Sequence, residues 1–535
     1  MVFHWHLWHN YLLMKSGNSA EDSGEPFIVR GAHVLCKAVS ADTVQTVENG
    51  AILVQEGRIA AVDSYDTLSA AHPGLKVMGG LENIVMPGMV NGHHHVGMTP
   101  VQLGTEDLPL EQWLTAQWRS RDVDPYCDTM VSGFELIASG VTAVQHLDSM
   151  LPAPVSDWKK RSREVVRAYL DLGLRVSYAL CVRDQHRLVY APDETFLKTL
   201  PAQLGEEVGK RLAKTHFPLE AYETDFIQPL LGEFAESIRN RLIRLWLAPI
   251  NLERASDRLL SLNKEWAARY GMGIHLHMSE TIYQKMFSER RFGMSSVKHL
   301  QRINFLGPEV TLGHSVWTDD EDLDIIAQSG CAICHNASSN LRLRSGIAPL
   351  RSMLERNIPI SMGIDEAGLN DDRDMLQELR VVKHLHAVPG IFARRLTSAQ
   401  IFRMATQGGA AATGFGDEIG RIEVGRRADL VLIDFRRLSE PYLDPAISVV
   451  DALIYRARSA DVTCVLIDGR IVYQDARFSR VDRTQIMEKL RADLSQPLQA
   501  HELERKRLSV ALFPYIRDFY KDWPVTPERS PQLRG

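Results

Sequence analysis

From residue 84 to residue 365 the chain repeats one rhythm. A short run of apolar and β-branched residues is followed by a stretch with helical spacing. The apolar runs are IVMPGMVNGHHH (84–95), VTAVQH (141–146), LRVSYALC (174–181), IRLWLAP (243–249), MGIHLH (272–277), EVTLGH (309–314), CAICHN (331–336) and IPISMGID (358–365). Gly140 and Gly173 close two of the intervening helices, and Thr318 with Glu321 has the capping-box spacing ahead of DDEDLDIIAQSG. Runs this apolar, alternating with helices, read as parallel strands buried on both faces. Eight is the number that closes a (β/α)8, or TIM, barrel. A doubly wound open sheet would carry a glycine-rich phosphate turn after its first strand, and NGHHHVG is not one.

The rhythm stops at both flanks. FIVRGAHVLC and GAILVQEGRIAAVDS on one side, and RIEVGRRADLVLID and VTCVLIDGRIVYQDARF on the other, read as strands. The expected organisation is a composite β-sandwich domain built from both chain ends (27–85 and 415–480) around a barrel spanning 86–414. Residues 184–240 exceed an ordinary barrel connection and are expected to be helices inserted near its mouth. Past 480, RTQIMEKLRADLSQ and HELERKRLSVALFPYIRDFYKDW predict a helical C-terminal extension (481–535). Residues 1–26 lack a basic leader, a clean apolar core and a small-residue cleavage site. They are expected to be a disordered extension, although His4, His6 and His9 could bind a metal.

Composition narrows the class without changing this picture. The chain has 535 residues, 45% of them hydrophobic and 24% charged, the balance of a globular protein. A net charge of −6 argues against nucleic acid or an anionic membrane as a partner. No run approaches the roughly 18–20 apolar residues of a membrane span. Six scattered cysteines suit a reducing, cytoplasmic compartment. Cys331 and Cys334 form a lone C-x-x-C in an alternating run, which reads as core packing. A homodimer is the commonest assembly for such an enzyme.

In barrels of this kind, chemistry sits at the C-terminal ends of the strands. The first run ends on His93, His94 and His95, the second on His146, the fifth on His277, the sixth on His314 and the eighth on Asp365. Successive side chains on a strand alternate faces, so His93 and His95 share one face and His94 points away. Two imidazoles spaced this way can reach one metal. His275 and His277 also share a face. His277, nearer the strand end, is the better ligand, and His275 is expected below it in the interior as support. His146 and His335 read as structural or pocket-wall residues.

PGMVNGHHH, IHLHMSE, LGH and GID, in this order on these strands, resemble the amidohydrolase superfamily, and most closely its cytosine deaminase and triazine chlorohydrolase branch. DLPLEQWL (107–114), HNASSNLRLRSGIAPL (335–350) and GRIEVGRRADLVLID (420–434) extend the similarity to about Phe27–Phe478. The resemblance implies a distorted barrel holding one divalent metal, zinc in the first place, with Fe, Mn or Co also suited to the donors. By motif position the ligands would be His93, His95, His277 and Asp365. Glu280 would shuttle the proton, and His314 would hydrogen-bond the attacking water or the developing oxyanion. Binuclear relatives carry a bridging modified lysine at the end of the fourth strand. Here no lysine lies between Lys214 and Lys264, which favours a single metal. The usual G-T-D of the eighth strand is Gly363-Ile364-Asp365, and the ligand survives the change.

A bound dication lowers the pKa of its water from 15.7 to about 7. Hydroxide can then attack an electron-poor carbon bonded to nitrogen, and a carboxyl such as Glu280 protonates the leaving nitrogen. The first expectation is therefore a deaminase of a small N-heterocycle of cytosine, guanine or triazine type. Hydrolysis of an acyclic amide, urea or thiocarbamate uses the same hydroxide and stays open. An inactive binding protein on the same fold would typically have lost ligands, and here all are present. Candidate substrate contacts, at or just beyond strand ends, are Gln102, His146, Arg183, Gln185, Asn340 and Glu366.

Overall fold

The protein is described by a computed structural model covering residues 24–95, 97–149, 157–215, 218–523 and 525. His4, His6 and His9, and the expectation of disorder around them, lie outside these residues. Eight strands pair side by side in chain order: β5 (Met89–His94), β6 (Val141–Asp148), β7 (Arg175–Cys181), β8 (Ile243–Ala248), β9 (Ile274–Met278), β10 (Val310–His314), β11 (Ala332–His335) and β12 (Ile360–Met362). All their ladders are parallel. The two ends of the sheet meet where Asp365 N–H donates to His93 O at 2.9 Å and Ile364 N–H donates to Asn91 Oδ1 at 3.0 Å. The eight apolar runs thus make a nearly closed barrel.

β6 and β7 are buried along their whole length, because helices cover the outer face and other strands the inner one. Alternation sorts the side chains. Leu147, Ala179, Cys181, Trp246 and Ala248 pack inside, while Val144, Val176, Tyr178 and Leu180 join the layer under the helices. Val90, Ala143, Ala410, Phe415 and Ile419 plug the end opposite the strand C-termini.

The second unit is one ladder in the order β16-β15-β14-β13-β4-β1-β2-β3. It contains β1 (Phe27–Ala38), β2 (Val44–Gln55), β3 (Arg58–Ser64), β4 (Lys76–Pro87), β13 (Leu430–Asp434), β14 (Val462–Ile467), β15 (Arg470–Gln474) and β16 (Arg477–Phe478). The antiparallel β4–β13 pair joins the two chain ends. The run IVMPGMVNGHHH, read as one strand, is divided between the two sheets at Gly88. Pro87 has no N–H to continue a ladder, and a Cβ on Gly88 would stand 2.0 Å from Thr142 Oγ1. RIEVG (421–425), expected as strand, is irregular, and the second flank's first strand starts only at Leu430.

Other local expectations are corrected by hydrogen bonding. The capping box before the helix Asp320–Ser329 is made by Asp319 and Asp322, one residue later than expected. The Thr318 hydroxyl instead donates to Ser315 O at 3.0 Å, leaving the better acceptor to cap. β6 runs two residues beyond His146, to Asp148. The inserted helices Asp193–Leu197 and Ala202–Lys214 pack against the C-terminal helix Ala500–Phe519 through Phe196, Val208, Leu508, Leu512 and Ile516. All six cysteines are free and buried, Cys331 and Cys334 among them. No helix among the described residues is long and apolar enough to cross a membrane.

Arg175, the first residue of β7 and fully buried, ties the barrel to the small sheet. Its guanidinium donates to both Asp429 oxygens at 2.8 and 3.0 Å, to Asp468 Oδ1 at 2.6 Å and to Arg241 O at 2.9 Å. Removing one partner of such a pair leaves a buried charge uncompensated. Arg175→Met is expected to cost about 3–5 kcal/mol, read as a lowered urea midpoint of the first unfolding transition. An unchanged midpoint would contradict this role.

Candidate active site

His93 and His95 project inward from the end of β5, and His277 from the end of β9. Asp365 follows β12 in a left-handed conformation (φ 64°), and His314 closes β10 in the same region (φ 66°). Non-glycine residues held there cost of order 1–3 kcal/mol each and persist where surrounding contacts over-determine them. The contacts here are close. A Cβ on Gly363 would lie 2.5 Å from Asn336 Oδ1 and 2.6 Å from His93 Cβ, so the G-I-D glycine is a steric requirement.

The inward atoms converge. His95 Nε2 lies 3.2 Å from His277 Nε2 and 3.3 Å from Asp365 Oδ1, and His93 Nε2 lies 3.5 Å from Asp365 Oδ1. Ligand atoms about 2.0–2.1 Å from one centre at tetrahedral angles stand roughly 3.3–3.4 Å apart. His93 Nε2 is buried and has no hydrogen-bond partner. Imidazole nitrogens facing one another at this separation repel unless a proton or cation lies between them. These residues fit a divalent cation.

The opposite ring nitrogens are tied down. His95 Nδ1 meets Leu147 O at 2.7 Å, His277 Nδ1 meets Ile250 O at 2.7 Å, and His93 Nδ1 meets His275 Nε2 at 2.8 Å. A carbonyl can only accept, so Nδ1 of His95 and of His277 carries the proton and each Nε2 lone pair points inward. Burial holds His93 and His277 well below the ordinary imidazole pKa, so both are neutral. Burial pushes the Asp365 carboxyl up, but positive charge shared with His93, and with His95 and His314 beside it, holds Asp365 well below the carboxylate range. Ser339 Oγ donates to Asp365 Oδ2 at 2.7 Å.

His314 Nε2 stands 3.7 Å from Asp365 Oδ2 and 3.8 Å from Glu280 Oε2. Its Nδ1 meets Asn340 Oδ1 at 2.8 Å, and Asn336 Nδ2 meets its Nε2 at 3.2 Å. Burial, with Asp365 and Glu111 adding, pushes Glu280 well above the ordinary carboxyl pKa, against the pull of Arg254. Burial beside the cluster thus favours the protonated form of Glu280.

Of the expected substrate contacts, only some face this centre. His146 is in register with His94, on the outer face of the sheet; its ring meets Tyr169 and Tyr178, and it is not a pocket contact. The cause is alternation, since the strand continues to Asp148 and presents Leu147 inward. Gln102 is exposed and accepts from Thr99 N at 3.0 Å within its own loop. Gln185 Nε2 is tied to Glu253 O and Ala255 O. Asn340 orients His314. Arg183 follows β7, and burial beside Arg254 lowers its pKa to about 10. Glu366, pushed up to about 7 by burial, lines a crevice with Trp113, Ser339, Arg342 and Leu343. His94 Nδ1 faces Asp365 O at 3.2 Å. Asn336, Ser339, Glu111 and Thr281 also meet here, although none was expected at the site from the sequence. The dense polar run HNASSN after the seventh strand was the one signal for the first two.

Known proteins resemble this chain over most of its length. A profile of the amidohydrolase family matches residues 84–472, and one of the bacterial imidazolonepropionase-like composite domain matches 50–74. A 5-methylthioadenosine/S-adenosylhomocysteine deaminase of Thermodesulfovibrio yellowstonii is 30% identical over 478 residues, 87% of this chain and 97% of that one. A 5'-deoxyadenosine deaminase of Methanosarcina barkeri is 29% identical over 447 residues, 83% and 92%. In fold, the chain is similar to an adenosine deaminase from Xanthomonas campestris crystallised with bound zinc. The TM-score is 0.70 at 24% identity, over 90% of this chain and 98% of that one.

His275→Leu leaves His93 Nδ1 without its partner. The expected outcome is a loss of metal affinity of about 10- to 100-fold with the fold retained, measured by competition with a chromogenic chelator alongside circular dichroism. Undiminished affinity would contradict the support assigned to His275.

Proposed function

The chain belongs to the amidohydrolase family, and on that premise we propose that it is a zinc-dependent aminohydrolase that releases ammonia from the adenine ring of a nucleoside-like substrate. What supports the reading is one juxtaposition: a buried Glu280 whose pKa burial raises, beside three inward imidazole nitrogens and the Asp365 carboxylate. Three nitrogen donors and one carboxylate suit zinc. His93, His95, His277 and Asp365 would hold it, and the cation supplies Lewis acidity that brings the pKa of water from 15.7 toward 7.

The chain's own groups divide the proton work. The free electron pairs of Asp365 can accept the proton of the attacking water. His314 has Nδ1 donating to Asn340 Oδ1 and its one Nε2 lone pair facing Asn336 Nδ2, so it can take a proton from that water only by giving up the Asn336 contact, and it becomes a donor toward developing negative charge after doing so. Glu280 gives its proton to the departing nitrogen, without which an amino group leaves poorly. Leu147, Cys181 and Trp246 supply an apolar interior beneath the cluster. Trp113 and Glu366 in the adjoining crevice offer an aromatic face and a carboxyl to a polar ring. The two deaminase relatives, both named for adenosine derivatives, favour that ring over acyclic amides and ureas.

Metal-reconstituted protein is expected to release ammonia from at least one of adenosine, 5'-deoxyadenosine, 5-methylthioadenosine and S-adenosylhomocysteine, and from no acyclic urea or amide in the same panel. Turnover confined to the acyclic compounds would overturn the substrate class. Glu280→Gln is expected to keep the metal and lose about 10²- to 10⁴-fold in kcat, measured by ammonia release with elemental analysis. A fully active variant would remove Glu280 from the mechanism.

A further inference from the structure

The family match ends at residue 472, yet the helix Ala500–Phe519 beyond it packs on segments that follow β5, β7 and β9. It is pinned to the helix Leu110–Ala116 and the turn after it. Ser509 Oγ donates to Thr115 O at 2.7 Å, Arg505 Nε donates to Trp118 O at 3.0 Å, and Glu502 Oε1 accepts from Asp122 N at 2.8 Å. At its far end Tyr520 packs at an angle to Tyr283 and edge-to-face with Tyr190, with ring centroids 5.0 and 5.8 Å away, and its hydroxyl accepts from Tyr190 N at 3.2 Å.

From Tyr190 a chain of hydrogen bonds leads to the site. The Tyr190 hydroxyl donates to Glu111 Oε1 at 3.0 Å, and the Thr281 hydroxyl donates to the same oxygen at 2.5 Å. Thr281 is the N-cap of the helix Ile282–Phe292 and accepts from Gln284 N, while Gln284 Oε1 accepts from Glu280 N at 2.6 Å. Glu280 therefore sits in a turn held from both sides, with Thr281 as the fixed point. Glu111 is 3% exposed, and its Oε2 is buried with no partner. A buried carboxyl with an idle oxygen is a costly way to fill space. Glu111 does two things an apolar residue could not: it holds the Thr281 hydroxyl, and it ties the Leu110–Ala116 helix by hydrogen bonds to Thr281 and to Tyr190 of the insertion, whose backbone N–H in turn donates to Tyr520.

We propose that Glu111 is a positioning residue for Glu280, anchored through Tyr190 and Tyr520 by the C-terminal helix, so that the extension beyond the family match is part of the active-site scaffold. The proposal rests on the reading of Glu280 as the proton donor. Glu111 touches none of the reacting atoms; its hydrogen bond to the Thr281 hydroxyl does the positioning, separately from the effect of its charge on Glu280.

The test compares full-length, metal-loaded wild type with Glu111→Leu and Glu111→Gln by two readouts. One is the split of kcat from KM for ammonia release. The other is hydrogen exchange of the Glu280–Lys285 amides, which needs no substrate. Glu111→Leu is expected to lower kcat about 10- to 100-fold, the scale of a roughly 1 Å misplacement, with KM and metal content little changed and with faster exchange at Gln284. Glu111→Gln, whose amide oxygen still accepts from Thr281 and Tyr190, is expected to restore most of both. Wild-type kcat and exchange in Glu111→Leu would overturn the proposal. So would equal kcat losses in Leu and Gln variants without a change in exchange, since the carboxyl itself would then be what matters. If Glu111→Leu does not fold, Tyr190→Phe and Tyr520→Phe carry the same comparison, with smaller losses in the same direction supporting the proposal and wild-type values overturning it. A wild type that releases no ammonia from any nucleoside would overturn the substrate reading alone, and the exchange comparison would still decide the positioning.

Discussion

Imidazole nitrogens aimed at one point, without protons between them, are a source of repulsion, and the barrel's strand ends are organised around that fact. His93, His95 and His277 each hold one ring nitrogen against an acceptor or a second imidazole, and each turns the other toward Asp365. Burial keeps His93 and His277 neutral, so protonation does not relieve the crowding. A divalent cation does, at separations already close to those of a tetrahedral donor set.

The surrounding structure is spent on holding this arrangement. His275, Leu147 O and Ile250 O fix three rings, and Asn340 and Asn336 fix the fourth. Ser338 N–H and its hydroxyl bind Glu378, whose pKa burial raises to about 7, and so fasten the short helix Ala337–Arg342 that carries Ser339 and Asn340. Arg342 ties that helix to the first and eighth loops through Asp107, Asp371 and Gly368 O. The strained backbone at His314 and Asp365 is tolerable because these bonds leave neither residue an alternative.

Much of this was legible along the chain. A period of apolar runs and helical stretches counted eight strands, and the alternation of side chains separated His93 and His95 from His94 without coordinates. His146 was placed by the end of its apolar run, as a structural or pocket-wall residue; the strand runs two residues further, to Asp148, and its ring packs against Tyr169 and Tyr178 on the outer face. Asn340 illustrates a different limit. Its place after the seventh strand was visible, but a residue near the mouth can touch substrate or hold another side chain, and only the 2.8 Å contact with His314 distinguishes the two.

Local chemistry, then, determined by itself the barrel, the small sheet drawn from both chain ends, and the identity of the inward-facing histidines, since periodicity and residue type are properties of neighbouring positions. Tertiary structure alone decided which strand ends share a centre, which tautomer each imidazole takes, and that Glu111, Tyr190 and Tyr520 meet beside Glu280. Those residues lie 79 and 330 positions apart along the network's links. No local pattern encodes a contact of that separation; it exists because the C-terminal helix and the insertion close over the same end of the barrel.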